Sequence, residues 1–102
     1  MNDIAGRVRE LVFESIDDVN LGLDPDNRLT KDDSEPLFGP NSRLGSLGLV
    51  NLLLAVEERV EAGFGQPILI TDNPTLFNSE GPLRSLGVFI DFVADMVRKS
   101  ES

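Results

Sequence analysis

The residue best placed to carry chemistry in this chain is a serine. Ser46 heads the most apolar long segment, GSLGLVNLLLAVEERV, which has helical spacing. A helix beginning there would offer free backbone N–H groups and the positive end of its dipole to that hydroxyl. Both favour a phosphate group on the serine oxygen. Serine is also a common helix N-cap with no further role, and position alone fits either reading. The chain contains no Cys and no His. A Ser-His-Asp triad, a protein thiol nucleophile and a disulfide framework are therefore excluded within the chain. So are the commonest metal ligands. Chemistry must use Ser, Asp/Glu and Lys/Arg, or come from a cofactor.

Other candidate sites are weaker. Ser85-Leu86-Gly87 repeats Ser46-Leu47-Gly48, but no acid-edged run follows it, and it is expected inside the last helix. Asp24, Asp26, Asp32 and Glu35 fall at positions 1, 3, 9 and 12 of a calcium loop. Arg28 occupies a ligand position of that loop, and Leu29 stands where its sharp turn needs Gly. A solvated acidic loop is the expectation, with no metal. Paired carboxylates could serve hydrolysis, yet nothing in the pattern places two of them in a cleft. The chain is not expected to be an enzyme.

Charge narrows the partners. Eighteen Asp and Glu against nine Lys and Arg give a formal net charge of −9. Such a surface repels nucleic acid and anionic membranes and favours basic protein partners. MNDIAGRVRELVF lacks the basic start and apolar run of a signal peptide. No stretch is apolar for long enough to span a bilayer. A cytoplasmic monomer is expected.

The elements that must position Ser46 follow from spacing. With 102 residues, one domain is expected. Ile4, Val8, Leu11, Val12 and Ile16 predict an amphipathic helix over 2–19, with Asn2 or Asp3 as its cap. Residues 20–45 are rich in Pro, Gly and acids and read as a long loop, of a length that is usually functional or partly mobile. The second helix is expected over 46–62, with Ser46 as N-cap and Gly63 as stop. Gly48 weakens it by about 1 kcal/mol relative to Ala. Pro67 to Ile70 reads as extended, and a short helix is expected over 72–77. Leu83, Leu86, Phe89, Ile90, Val93 and Val97 share one face of a last helix over 83–98, with Arg98 and Lys99 at its end. The fold class is all-α: a small bundle of three long helices and one short helix, with a long loop after helix one.

The second helix carries two apolar stripes. Leu49, Leu52, Leu53, Val56 and Val60 follow the core rule. Leu47, Val50 and Leu54 form an adjacent stripe, with Glu57, Glu58 and Glu61 near its lower end. An apolar strip edged by carboxylates suits docking to a basic, partly apolar surface. Burial of the helix on one broad face would give the same pattern.

This segment resembles the acyl carrier proteins around their modified serine. Ser46-Leu47 matches the Ser-Leu pair of the family's D-S-L tripeptide. Val50, Leu52, Ala55, Val56, Glu57-Glu58 and Val60 follow in register without a gap. PLRSLGVFIDFV is similar to the start of the family's final helix, and the order of elements agrees over most of the chain. The resemblance implies a 4'-phosphopantetheine arm on Ser46, transferred from coenzyme A by a phosphopantetheinyl transferase. The arm's thiol would hold acyl groups as thioesters. Acyl-transferring or condensing enzymes with basic docking patches would then use them, in lipid, fatty acid or polyketide-type biosynthesis. It also implies partner contacts for Leu47, Val50, Leu54, Glu57 and Glu58. Three positions depart from the family pattern: Gly45 replaces the Asp before the serine, Asn51 stands where an acid is common, and Arg59 interrupts the acidic run. The alternative is an unmodified module of the same fold that docks to basic proteins.

Overall fold

The computed structural model describes residues 3–40, 42–78 and 80–101. Among the described residues there are three α-helices and no strand: α1 (Ile4–Asn20), α2 (Ser46–Phe64) and α3 (Leu86–Glu101). Two single 3₁₀ turns, Pro25–Asn27 and Ile70–Asp72, lie in the connections. The Cα radius of gyration is 12.8 Å, close to the roughly 13 Å of a packed chain of this length.

α1 begins where Asp3 caps it, its Oδ1 accepting from Gly6 N at 3.1 Å. Asn2 lies outside the described residues. Val8, Leu11, Val12 and Ile16 of α1 are buried, and the helix packs against both α2 and α3. The core stripe of α2 is buried as its spacing requires: Leu49, Leu52, Leu53, Val56 and Val60. So is the predicted face of α3, from Leu86 through Phe89, Ile90 and Val93 to Val97. Leu83, just before it, is buried too. Arg98 and Lys99 stand in its last turn.

Several boundaries differ from expectation. α2 does not stop at Gly63 but runs to Phe64, and Gly65 closes it with φ of +73°. Its amide donates to Glu61 O at 2.8 Å, the left-handed ending that glycine permits. Gly63 lies inside the helix against Leu11, where a Cβ would meet Leu11 Cδ1 at 3.1 Å. The short helix expected over 72–77 does not form. The 3₁₀ turn at Ile70–Asp72 precedes that stretch, and turns follow it. Asn73 Oδ1 takes the Thr75 amide at 2.9 Å and the Thr75 hydroxyl at 2.7 Å, a local side-chain turn that competes with helix. α3 starts three residues later than expected. Ser85 precedes it and caps it, Oγ accepting from Val88 N at 3.3 Å. The repeated Ser-Leu-Gly thus marks two helix starts.

The long connection before α2 is fastened down. Arg9 of α1 grips Asp33 through 2.8 and 3.3 Å bonds, and Lys31 reaches Asp17 at 3.0 Å. Both cations lie over the Phe13 ring, 5.6 and 5.7 Å from its centroid. The loop carbonyls of Glu35 and Asp33 accept from Leu86 N and Gly87 N at 2.8 and 2.9 Å, satisfying the first amides of α3. A Cβ at position 87 would stand 3.0 Å from Asp33 Cβ, so the glycine keeps this approach close.

Candidate functional site

The segment entering α2 is held from two sides. Glu35 is buried, and its carboxylate accepts from Thr30 N at 3.0 Å and Thr30 Oγ1 at 2.7 Å. Arg43 lies 3.7 Å from that carboxylate and donates to Arg28 O at 3.3 Å. Leu44 folds over the first turn of α2, where a Cβ on Gly48 would lie 3.2 Å from Leu44 Cδ2. The glycine that weakens the helix by propensity therefore makes room for Leu44.

Ser46 is the first residue of α2 rather than its cap, which is Gly45. Gly45 has extended backbone (φ −79°, ψ 175°) and offers no side chain to the helix end. Its carbonyl accepts from Leu49 N at 2.9 Å. By helix geometry the amides of residues 46–48 have no acceptor within α2, so the start of the helix presents donors and positive dipole beside the serine. A Cβ on Gly45 would meet nothing within 4 Å. The fold does not require glycine there.

An apolar cavity of about 560 Å³ opens beside this point, lined by Phe38, Leu44, Gly45, Leu49, Val50 and Phe77 among others. No charged side chain lines it. Its size falls within the roughly 300–1,000 Å³ of small-molecule sites. Phe38 comes from the loop before α2 and Phe77 from the connection after it. Sequence reasoning singled out neither. An aromatic in a Pro/Gly-rich stretch, as in Pro36-Leu37-Phe38-Gly39-Pro40, was the available signal.

The second stripe of α2 is exposed, which removes the broad-face burial alternative. Leu47 is 75% exposed, Val50 42% and Leu54 48%. The stripe is not one surface, however. Val50 faces the Phe38–Phe77 cavity, whereas Leu47 borders a separate groove shared with the end of α1.

The acidic residues near the stripe also divide. Glu58 and Glu61 are exposed. Glu57 is half-buried and occupied, its Oε2 accepting from Thr71 N at 3.2 Å and Thr71 Oγ1 at 3.4 Å. Arg59, which breaks the acidic run in sequence, is turned to α1. It pairs with Glu14 at 2.9 Å and with Asp18. The Asp18 hydrogen bond, reinforced by the surrounding carboxylates, raises the Arg59 pKa. This cation is thus committed to the α1–α2 seam.

Among the described residues no cluster of acidic groups is arranged to hold a metal ion. The calcium-loop spacing breaks because Glu35 is buried on Thr30, while Asp32 turns back to Ser34. Asp32 Oδ1 accepts from Ser34 N at 2.9 Å and Ser34 Oγ at 2.7 Å. Those bonds, the backbone one first, hold the Asp32 carboxyl below its ordinary range. No helix among the described residues is long and apolar enough to cross a membrane. No family model, curated protein or solved structure matches the chain.

Proposed function

We propose that this chain is a carrier of the acyl-carrier type. Ser46 bears a 4'-phosphopantetheine arm, and acyl groups ride on the arm's thiol as thioesters. Partner enzymes of lipid or polyketide-type biosynthesis perform the chemistry, so the chain needs neither His nor Cys of its own.

The observation that carries this reading is the setting of residue 46. A serine opens the second helix of a three-helix bundle, at an end with no side-chain cap from Gly45 and with an uncharged apolar cavity abutting the preceding residue. A phosphodiester is electrostatically favoured at the first feature. The second can shelter an apolar group tethered nearby. Leu54, Glu58 and Glu61 give partners an exposed apolar and acidic surface on the same helix. Glu57 serves the fold as well, through Thr71.

A second reading is an unmodified docking module. Gly45, in the place of the family's Asp, favours it. Intact-mass measurement after incubation with coenzyme A and a broad-specificity phosphopantetheinyl transferase separates the two. A carrier gains one phosphopantetheine, and Ser46→Ala gains none. A wild-type chain left unmodified by several transferases, its own organism's included, would leave the docking module standing.

A further inference from the structure

The Phe38–Phe77 cavity is defined as much by what its walls lack as by what they hold. Among the described residues its side chains come from Phe38, Leu44, Leu49, Val50 and Phe77, with Gly39 and Gly45 completing the lining. None of these can form a side-chain hydrogen bond or an ion pair. In a chain with a formal net charge of −9, this is about 560 Å³ of uncharged space. The cavity does not enter the bundle. Leu52, Leu53 and Val56, the next core residues of α2, are fully buried and line none of it, and neither does any described residue of α1 or α3. A long alkyl chain therefore has no channel to follow from here. The edges are bare backbone at Gly39 and Gly45, where an added Cβ would meet nothing within 4 Å. A φ of +108° demands glycine at 39, but the extended backbone of Gly45 does not. Glycine at 45 leaves room rather than serving a turn. The Phe38 and Phe77 rings are 40% and 49% exposed, so part of each stays open to a third ring.

We infer that this cavity is a binding site for a compact, uncharged aryl group, with Phe38 and Phe77 as the residues that select it. A ring placed against them gains burial as any apolar group would. It adds edge-to-face or offset contact with the two rings, whose own pairing shows the geometry they favour. A saturated group of the same size gains only the first. A carboxylate on the ring meets no cation in the walls and is repelled by the chain's net charge. The ring can arrive on a free molecule or on a thioester at Ser46. The second route rests on the carrier reading, but the site itself does not.

The test uses the full chain and an uncharged fluorescent aryl probe, N-phenylnaphthylamine, with naphthalene and its saturated counterpart decalin as competitors. Amide shifts on adding naphthalene should centre on Phe38, Leu49, Val50 and Phe77. The ratio of naphthalene to decalin affinity should fall about fivefold in Phe38→Leu and in Phe77→Leu, the scale of one aromatic contact. Both variants keep an apolar wall and remove a ring, and thermal unfolding checks that each is folded. Naphthoate should compete more weakly than naphthalene. Shifts centred on α3 or on the α1–α2 groove, no displacement of the probe by naphthalene, or an unchanged affinity ratio in both leucine variants would overturn the inference. Charging Ser46 with a naphthoyl thioester of phosphopantetheine tests the tethered route. Shifts at Val50 and Phe77 that match those of free naphthalene support it, and their absence overturns it. If the wild-type chain is never modified, the carrier reading falls, and the competition with free naphthalene still decides the site.

Discussion

The rings of Phe38 and Phe77 meet edge to face, their centroids 5.5 Å apart and their planes at 68°. One ring belongs to the connection before α2 and the other to the connection after it. The contact closes the chain's two irregular segments over the cavity beside Gly45. Such a pair contributes roughly 0.5–1.5 kcal/mol beyond the area it buries. Phe77→Ala and Phe38→Ala should each lower stability by about 1 kcal/mol. The double mutant should lose less than the sum, by the pair's own coupling. Additive losses in urea denaturation would remove the pair as a closure.

Gly45→Asp should be tolerated, because the added Cβ meets open space and the backbone is extended rather than left-handed. Asp is a better N-cap than Gly by a few tenths of a kcal/mol, so the melting temperature should hold or rise slightly. The carrier reading further expects faster phosphopantetheine transfer in this variant, measured by intact mass over time. A slower transfer at unchanged stability would count against the family assignment of this position.

Leu54→Ala and Glu58→Lys should weaken a partner enzyme while leaving the fold intact, since both side chains are exposed. Rim charge contacts of this kind lose strength as salt rises. Glu57→Lys is the less clean probe, because it also releases Thr71. Steady-state kinetics with a loaded carrier, paired with thermal unfolding, should show the two single changes raising KM at constant stability.

Two glycines should behave oppositely. A Cβ at Gly81 would collide with the carbonyl oxygen of Thr75 and stand 3.0 Å from that of Asn78. Backbone cannot yield as a side-chain tip can, so Gly81→Ala should cost about 1–3 kcal/mol. At Gly22 the nearest atom to a Cβ is Val19 O at 3.7 Å, an ordinary contact. Gly22→Ala should stay within about 0.5 kcal/mol of wild type. Equal denaturation midpoints for the two variants would contradict the close approach of Gly81 to the Thr75 and Asn78 carbonyls.

Acid should loosen the loop clamp. The hydrogen bond from Arg9 holds the Asp33 carboxyl below its ordinary value of 3.8. A carboxylate depressed in the folded state contributes stability that is complete above that value. The contribution is lost as pH falls from there through the folded value. Because Arg9 and Asp33 are both exposed, the effect should be local rather than global. Amide exchange at Gly87, which donates to Asp33 O at 2.9 Å, should gain relative to core amides below about pH 4. Parallel behaviour in Asp33→Asn would show that the ion pair is not the cause.

The helices and their buried faces were legible in the sequence. Leu49, Leu52, Leu53, Val56 and Val60 declare one side of α2 by spacing alone, because a helix repeats every 3.6 residues and water excludes that stripe. The charge and the missing Cys and His likewise limit the chemistry from the sequence alone. The helix ends were not legible to the residue. Gly63 reads as the stop, but it packs inside the helix against Leu11, and the left-handed ending falls to Gly65. The surroundings of Ser46 were decided wholly by tertiary structure. Phe38 and Phe77 lie 39 positions apart, and Leu23 and Leu47 lie 24 apart; no periodicity links segments whose path between helices is set by loop contacts. The same holds for Arg59 and Glu57, whose charges read as surface features in one dimension. Each is engaged by a side chain from another segment, Asp18 in one case and Thr71 in the other. Local pattern fixes which face of a helix avoids water, but which distant groups meet there depends on how the chain closes.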